Sequence, residues 1–190
     1  MQVPLFPLNT VLFPGGPLPL RIFETRYVDM IGNCIRTDAP FGVLLIREGG
    51  EVGDATTHDV GTLARIIDWY QGSDGLLGVT ATGTDRFRRL SEHREDDGLV
   101  VGEVELLPAA PDCPLPEQYK PLANILRGVI DDLGRLYENL DKHYDDAGWV
   151  SYRFAEILPI SPEQKQSCLE IDDPIQRMES MKAVLETVRI

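Results

Sequence analysis

Basic residues are scarce in this chain. Eighteen lysines and arginines stand against 31 aspartates and glutamates, a formal net charge of −13. The acids are spread over both halves rather than held in one tail. A field of that sign repels phosphate backbones and anionic lipid, which argues against nucleic acid or a membrane surface as partner. The one dense basic run, RFRRL at Arg86–Leu90, reads as an exposed strand with arginines on its outer face. Cysteine is also sparse: Cys34, Cys113 and Cys168 are odd in number and lack CxxC spacing. That argues against a disulfide framework or a zinc site and fits reduced thiols in the cytoplasm. No apolar run approaches the roughly 18 residues that a spanning helix needs. The opening stretch is apolar, but its first basic residue is Arg21 and prolines interrupt it at 4, 7, 14, 17 and 19. It therefore does not read as a signal peptide.

Catalytic patterns are missing as well. Ser91, Ser151 and Ser161 lie in neither a GxSxG nor an SxxK context, and Ser161 reads as a helix cap. His58, His93 and His143 each have acidic neighbours, but none is paired with another histidine four residues away. They read as solvated surface residues. A metal site from Asp141, His143, Asp145 and Asp146 would require all four on one side of a helix end. Cys34 falls on an apolar helix face as a small core residue. Cys113, in a proline-rich stretch, has no evident cation to activate it. No catalytic residue, metal or cofactor is expected.

What is present is the composition of a folded chain of ordinary size, with 43% hydrophobic and 26% charged residues. Val3–Leu8 and Thr10–Phe13 read as short extended segments, with Pro14-Gly15-Gly16-Pro17 as a turn. Leu18, Leu20 and Ile22 then alternate with Pro19, Arg21 and Phe23, the period of a half-buried strand. Because proline cannot donate to a ladder, these are expected as edge or barrel-rim strands. Tyr27, Met30, Ile31, Cys34 and Ile35 trace one helix face, ended at Ala39-Pro40. Phe41–Ile46 reads as a buried strand and Glu48–Asp59 as an exposed loop. Val60–Tyr70, Leu76–Gly83, Thr84–Leu90 and Leu99–Leu107 are further strands.

Pro108–Pro116 carries four prolines, and strand signals stop there. Apolar residues from Tyr119 to Tyr144 predict one long helix, and Trp149–Leu158 a second. Ser161-Pro162 and Asp173-Pro174 are helix starts. Ile175, Met178, Leu185 and Val188 form the last apolar face. The division expected is a β-rich domain at 1–107, a linker at 108–118 and a helical region at 119–190.

The order PLFPLNTVLFPGGPLPLRIFETRY, FGVLLI, VGTLARI, GTDRFRRL, VGEVELL resembles the N-terminal substrate-binding domain of Lon proteases. It is similar also to stand-alone bacterial versions, to the related domain of cereblon and to that of Lon-domain ring-finger proteins. The resemblance covers about residues 3–107 strongly. ILPISPEQKQSCLEIDDPIQRMESM is similar to the helical extension that follows. It implies an α+β fold: a PUA-like β pseudo-barrel with one inserted helix, then a C-terminal helical bundle. The GxxxxGK[ST] string of the Lon ATPase is absent, the 190 residues leave no room for a Ser–Lys protease domain, and the zinc cysteines that accompany the cereblon domain are missing. The expectation is a non-enzymatic module binding exposed apolar polypeptide segments or a partner protein. An RNA-binding PUA-like protein and a peptidase are the alternatives. Phe13, Leu18, Leu20 and Phe23, with Trp69 and Tyr70, are the candidate apolar groove. Arg21, Glu24, Arg26 and Arg86 form a candidate polar set, either a brace at the strand-to-helix corner or a grip on ligand.

Overall fold

The structure, a computed structural model, describes residues 1–51 and 55–187. It divides into two units, Met1–Pro108 and Ala109–Ile190.

The first unit is built on a seven-stranded sheet, counted among the described residues. Its elements are β1 (Gln2–Leu8), β2 (Pro17–Ile22), α1 (Thr25–Thr37), β3 (Phe41–Gly49), β4 (Ala55–Thr57), β5 (Val60–Gln71), β6 (Leu77–Arg94) and β7 (Val100–Leu106). The pairings run β1-β7-β6-β5-β3 and return from β3 to β1, so five strands close a ring. β2 attaches to β6 and β4 to β3. Closure buries two apolar clusters. One joins Phe6, Leu18, Ile22, Tyr27, Ile31 and Phe41; the other joins Val3, Leu5, Leu44, Leu63, Phe87 and Val104.

β1, expected as an edge or barrel-rim strand, has a partner on each side. β7 pairs with it along Gln2–Leu5 and β3 along Leu5–Leu8. The stagger explains how it tolerates Pro4 and Pro7. The carbonyl of Met1 accepts from Val104 N at 2.8 Å, so by alternation the nitrogen of Pro4 points away from β7 and that of Pro7 away from β3. Each missing donor faces the side where β1 has no ladder partner at that level.

Thr10–Phe13, expected as extended, forms no strand, although Val11, Leu12 and Phe13 are buried. The turn that follows is as expected: Gly16 N donates to Phe13 O, and Gly15 sits at φ 68°. Helix α1 ends with Asp38 in the left-handed region, just before Pro40. The Glu48–Asp59 loop contains β4, which pairs across a bulge with β3. The two strands expected over 76–90 are one, β6, which bends through register shifts rather than breaking.

The second unit holds α2 (Lys120–Leu133), α3 (Ala147–Ile157), α4 (Pro162–Glu170), α5 (Pro174–Ser180) and α6 (Lys182–Thr187). The long helix expected to Tyr144 stops at Leu133, because Gly134 turns to φ 55° and a single 3-10 turn follows. Ser161 and Gln164 make a reciprocal capping box, and Asp173 caps α5. The last helix divides at Met181, and Val188 lies outside the described residues. Among the described residues, no helix is long and apolar enough to cross a membrane.

Candidate functional site

A cavity of about 260 Å³ opens in the first unit. Phe6, Leu8 and Thr10 line one part of it, Leu18 to Glu24 another, with Tyr27 from α1 and Glu51. Its floor is fixed by packing: the Phe6 and Tyr27 rings stack at 4.1 Å, and Leu18 and Ile22 are buried. Leu20 is half-buried, while Phe23 at the mouth is 63% exposed. Large apolar side chains left in water beside a hollow mark a candidate ligand surface.

Two carboxylates join this lining. Glu51 Oε1 accepts from Asn9 N at 2.8 Å. Glu24 starts α1 with its backbone, its carbonyl accepting from Tyr27 N and Val28 N at 3.0 Å each. Its side chain makes no cap hydrogen bond and meets Arg26 Nη2 at 2.8 Å. Arg26 Nη1 donates to Gly98 O at 3.0 Å, and the guanidinium lies 4.7 Å from the Tyr27 ring centre. The corner after β2 is thus tied to the β6–β7 turn. Burial pushes the Tyr27 phenol above its usual range, against the pull of the Arg26 charge.

The sequence-derived residues divide among several places. Leu18, Leu20, Phe23, Arg21 and Glu24 line the cavity. Phe13 has no exposed surface and belongs to the core. Trp69 and Tyr70, 56% and 54% exposed, stand near the end of β5. Trp69 borders a separate hollow with Cys34, Ile35 and Ile67, and the Tyr70 ring covers Gly78 on β6. Among the polar residues, Glu24 and Arg26 pair, whereas Arg21 makes an exposed ion pair with Asp74. Arg86 is buried on β6, with Nη2 donating to Pro108 O at 3.3 Å.

Phe6, Tyr27 and Glu51 were not singled out as lining residues. Tyr27 had a signal in the helix periodicity; Glu51, in a polar loop, had none. Arg89 of the basic run is engaged with Asp59 at 2.6 Å and with Glu92. Among the described residues, no group of three or more His, Cys, Asp or Glu is placed to hold a metal. Asp146 is used instead as the α3 cap, accepting from Trp149 N at 2.6 Å. Cys34 and Cys168 are buried, and burial pushes both thiols up, away from the reactive thiolate.

The profile described as the ATP-dependent protease La (LON) substrate-binding domain matches residues 2–186. The chain belongs to the LON substrate-binding domain family. The crystal structure of a Lon N-terminal domain protein from Xanthomonas campestris is similar, at 39% identity and TM-score 0.80, covering 96% of this chain and 98% of that one. The N-terminal domain of Mycobacterium avium complex Lon protease shares the fold at TM-score 0.65 and 14% identity, covering 98% and 97%. Lon protease of Anaeromyxobacter dehalogenans is 27% identical over 97% of this chain, and cereblon of Gallus gallus 32% identical over 56%. The chain spans 22% and 24% of those two proteins. What matches is the substrate-binding domain of the Lon family.

Proposed function

We propose that this member of the LON substrate-binding domain family is a non-catalytic cytoplasmic module that binds exposed apolar segments of unfolded polypeptide, or a partner protein through such a segment. In this reading the closed ring of strands is a PUA-like pseudo-barrel and the helical unit a bundle. The observation that carries the proposal is the cavity along β2, floored by the buried Leu18, Ile22, Phe6 and Tyr27 and bordered by half-buried Leu20 and exposed Phe23. A hollow of that kind accepts side chains of an extended chain, while backbone groups supply the remaining affinity. The net charge of −13 favours polypeptide over RNA as ligand.

Titration with chemically unfolded polypeptides and short apolar peptides, followed by fluorescence anisotropy, is expected to show micromolar-range binding. Leu20→Glu, which places a charge in the cavity wall, is expected to weaken it about tenfold or more. Absence of binding across a varied peptide panel would overturn the proposal.

A further inference from the structure

The open edge of β2 is unusual in its chemistry. Among the described residues, β2 pairs with β6 alone. The carbonyl of Gly16 accepts from Gly83 N of β6 at 2.9 Å. Along a strand, successive residues turn their N–H and C=O groups to opposite sides. Leu18, Leu20 and Ile22 therefore face β6, and Pro17, Pro19 and Arg21 face outward. The register agrees, since Pro17 and Pro19 stand opposite Thr82 and Thr80 without being able to donate. The open edge thus presents three carbonyl oxygens, at Pro17, Pro19 and Arg21, and one N–H, at Arg21.

Glu51 supplies negative charge beside this edge; Glu24 also lines the cavity but is paired with Arg26, and the Arg21 guanidinium is taken up by Asp74. Residues from both faces of β2, Leu18, Pro19, Leu20, Arg21 and Ile22, border the cavity, as expected where a hollow runs along a strand's edge. Two copies of such an edge offer each other mostly acceptors, so β2 is protected against pairing with itself.

We propose that the β2 edge reads an extended, cationic polypeptide segment by its backbone N–H groups: the guest donates to the carbonyls of Pro17, Pro19 and Arg21, and its basic side chains lie toward Glu51. The proposal rests on the polypeptide-binding reading above and specifies the ligand for it. Proline at a donating guest position is excluded, and acidic segments are disfavoured.

The test uses a fluorescent nine-residue peptide of alternating valine and lysine. Its partners are a glutamate-for-lysine counterpart and two versions N-methylated on either alternate set of residues. The lysine peptide is expected to bind at least fivefold tighter than the glutamate peptide. Methylation of one alternate set should lower affinity about tenfold, and of the other set little. Pro19→Ala, which adds a donor on an exposed face, is expected to tighten binding about threefold, the effect of one further hydrogen bond of modest net strength. Equal affinity for lysine and glutamate peptides, or equal tolerance of both methylation patterns, overturns the proposal and leaves apolar binding standing. Failure of every peptide to bind removes the polypeptide-binding reading and this one with it.

Discussion

The two units bury different chemistry. The core of the first is almost wholly apolar, and Thr57, Thr62 and Arg86 are its buried polar side chains among the described residues. The helical unit buries Ser151, Arg153, Gln166 and Arg177. Arg177 has no exposed surface, donating from Nε to Cys168 O at 2.9 Å, from Nη1 to Ser151 Oγ at 2.8 Å and from Nη2 to Ile171 O. Two of those acceptors are carbonyls at the C-terminal end of α4, where a cation also meets the negative end of the helix dipole. Its guanidinium stacks 3.7 Å from the Tyr152 ring centre. A closed ring satisfies its backbone groups by itself and can fill its interior with aliphatic side chains. Short helices leave terminal carbonyls over, and here a buried arginine satisfies them.

The largest test of this contrast is Arg177→Ala. It strips three neutral acceptors of their donor, and leaving a buried acceptor unsatisfied costs about 1–3 kcal/mol, to which the lost packing of the side chain adds. Amide exchange is expected to show the greatest loss of protection in α3, α4 and α5. In the first unit, Leu44→Ala leaves only a cavity, at about 2–5 kcal/mol, and its loss is expected in β1 and β3 amides. If Arg177→Ala were as mild as a surface change, the polar core would be ornamental.

A smaller effect separates the units by pH. Burial raises the Glu156 carboxyl above its usual range, against the Arg153 charge, the Tyr137 hydrogen bond and the Lys165 charge. Burial also lowers the Lys165 ammonium and raises the Tyr137 phenol. An acid with a raised folded pKa binds more protons folded than unfolded. Its stabilising contribution is complete below the ordinary carboxylate pKa and is lost as pH rises through the folded value. Stability of α3 and α4 is therefore expected to gain from acidification between neutral pH and the ordinary carboxylate range, relative to Glu156→Gln. Identical pH dependence in both proteins would remove Glu156 as the cause.

The smallest expected effect on stability comes from the candidate site. Phe23→Ala removes a ring that is mostly in water, so the change is expected to stay within about 0.5 kcal/mol. Peptide affinity should nevertheless fall severalfold. A large stability loss would mean that the ring serves the fold and not a ligand.

Much of this was legible in the sequence. Alternation gave β2, runs rich in β-branched and apolar residues gave β5 and β7, and the Tyr27–Cys34 spacing gave α1, because one buried helix face leaves a clear pattern. Ser161 and Asp173 announced helix starts because caps act locally. What a local pattern does not carry was missed. β1 is flanked on both sides because two partners are staggered along it, which depends on residues about 40 and 100 positions away. Gly134 reads as an ordinary residue in an apolar helical stripe until its backbone turns left-handed. Phe13 and Leu20 look alike in sequence, yet one ends in the core and the other at the cavity, since exposure is set by what closes over them. Arg177 gave no signal, as a lone arginine in a helix reads as surface.

The most direct measurement of the central claim is a peptide titration followed by amide chemical shifts on the whole chain. Binding along β2 predicts the largest perturbations at Leu18, Leu20, Arg21, Phe23 and Glu24, with smaller ones at Phe6 and Leu8. Perturbations centred on Trp69 and Tyr70, or confined to the helical unit, with β2 silent at saturation, would contradict it.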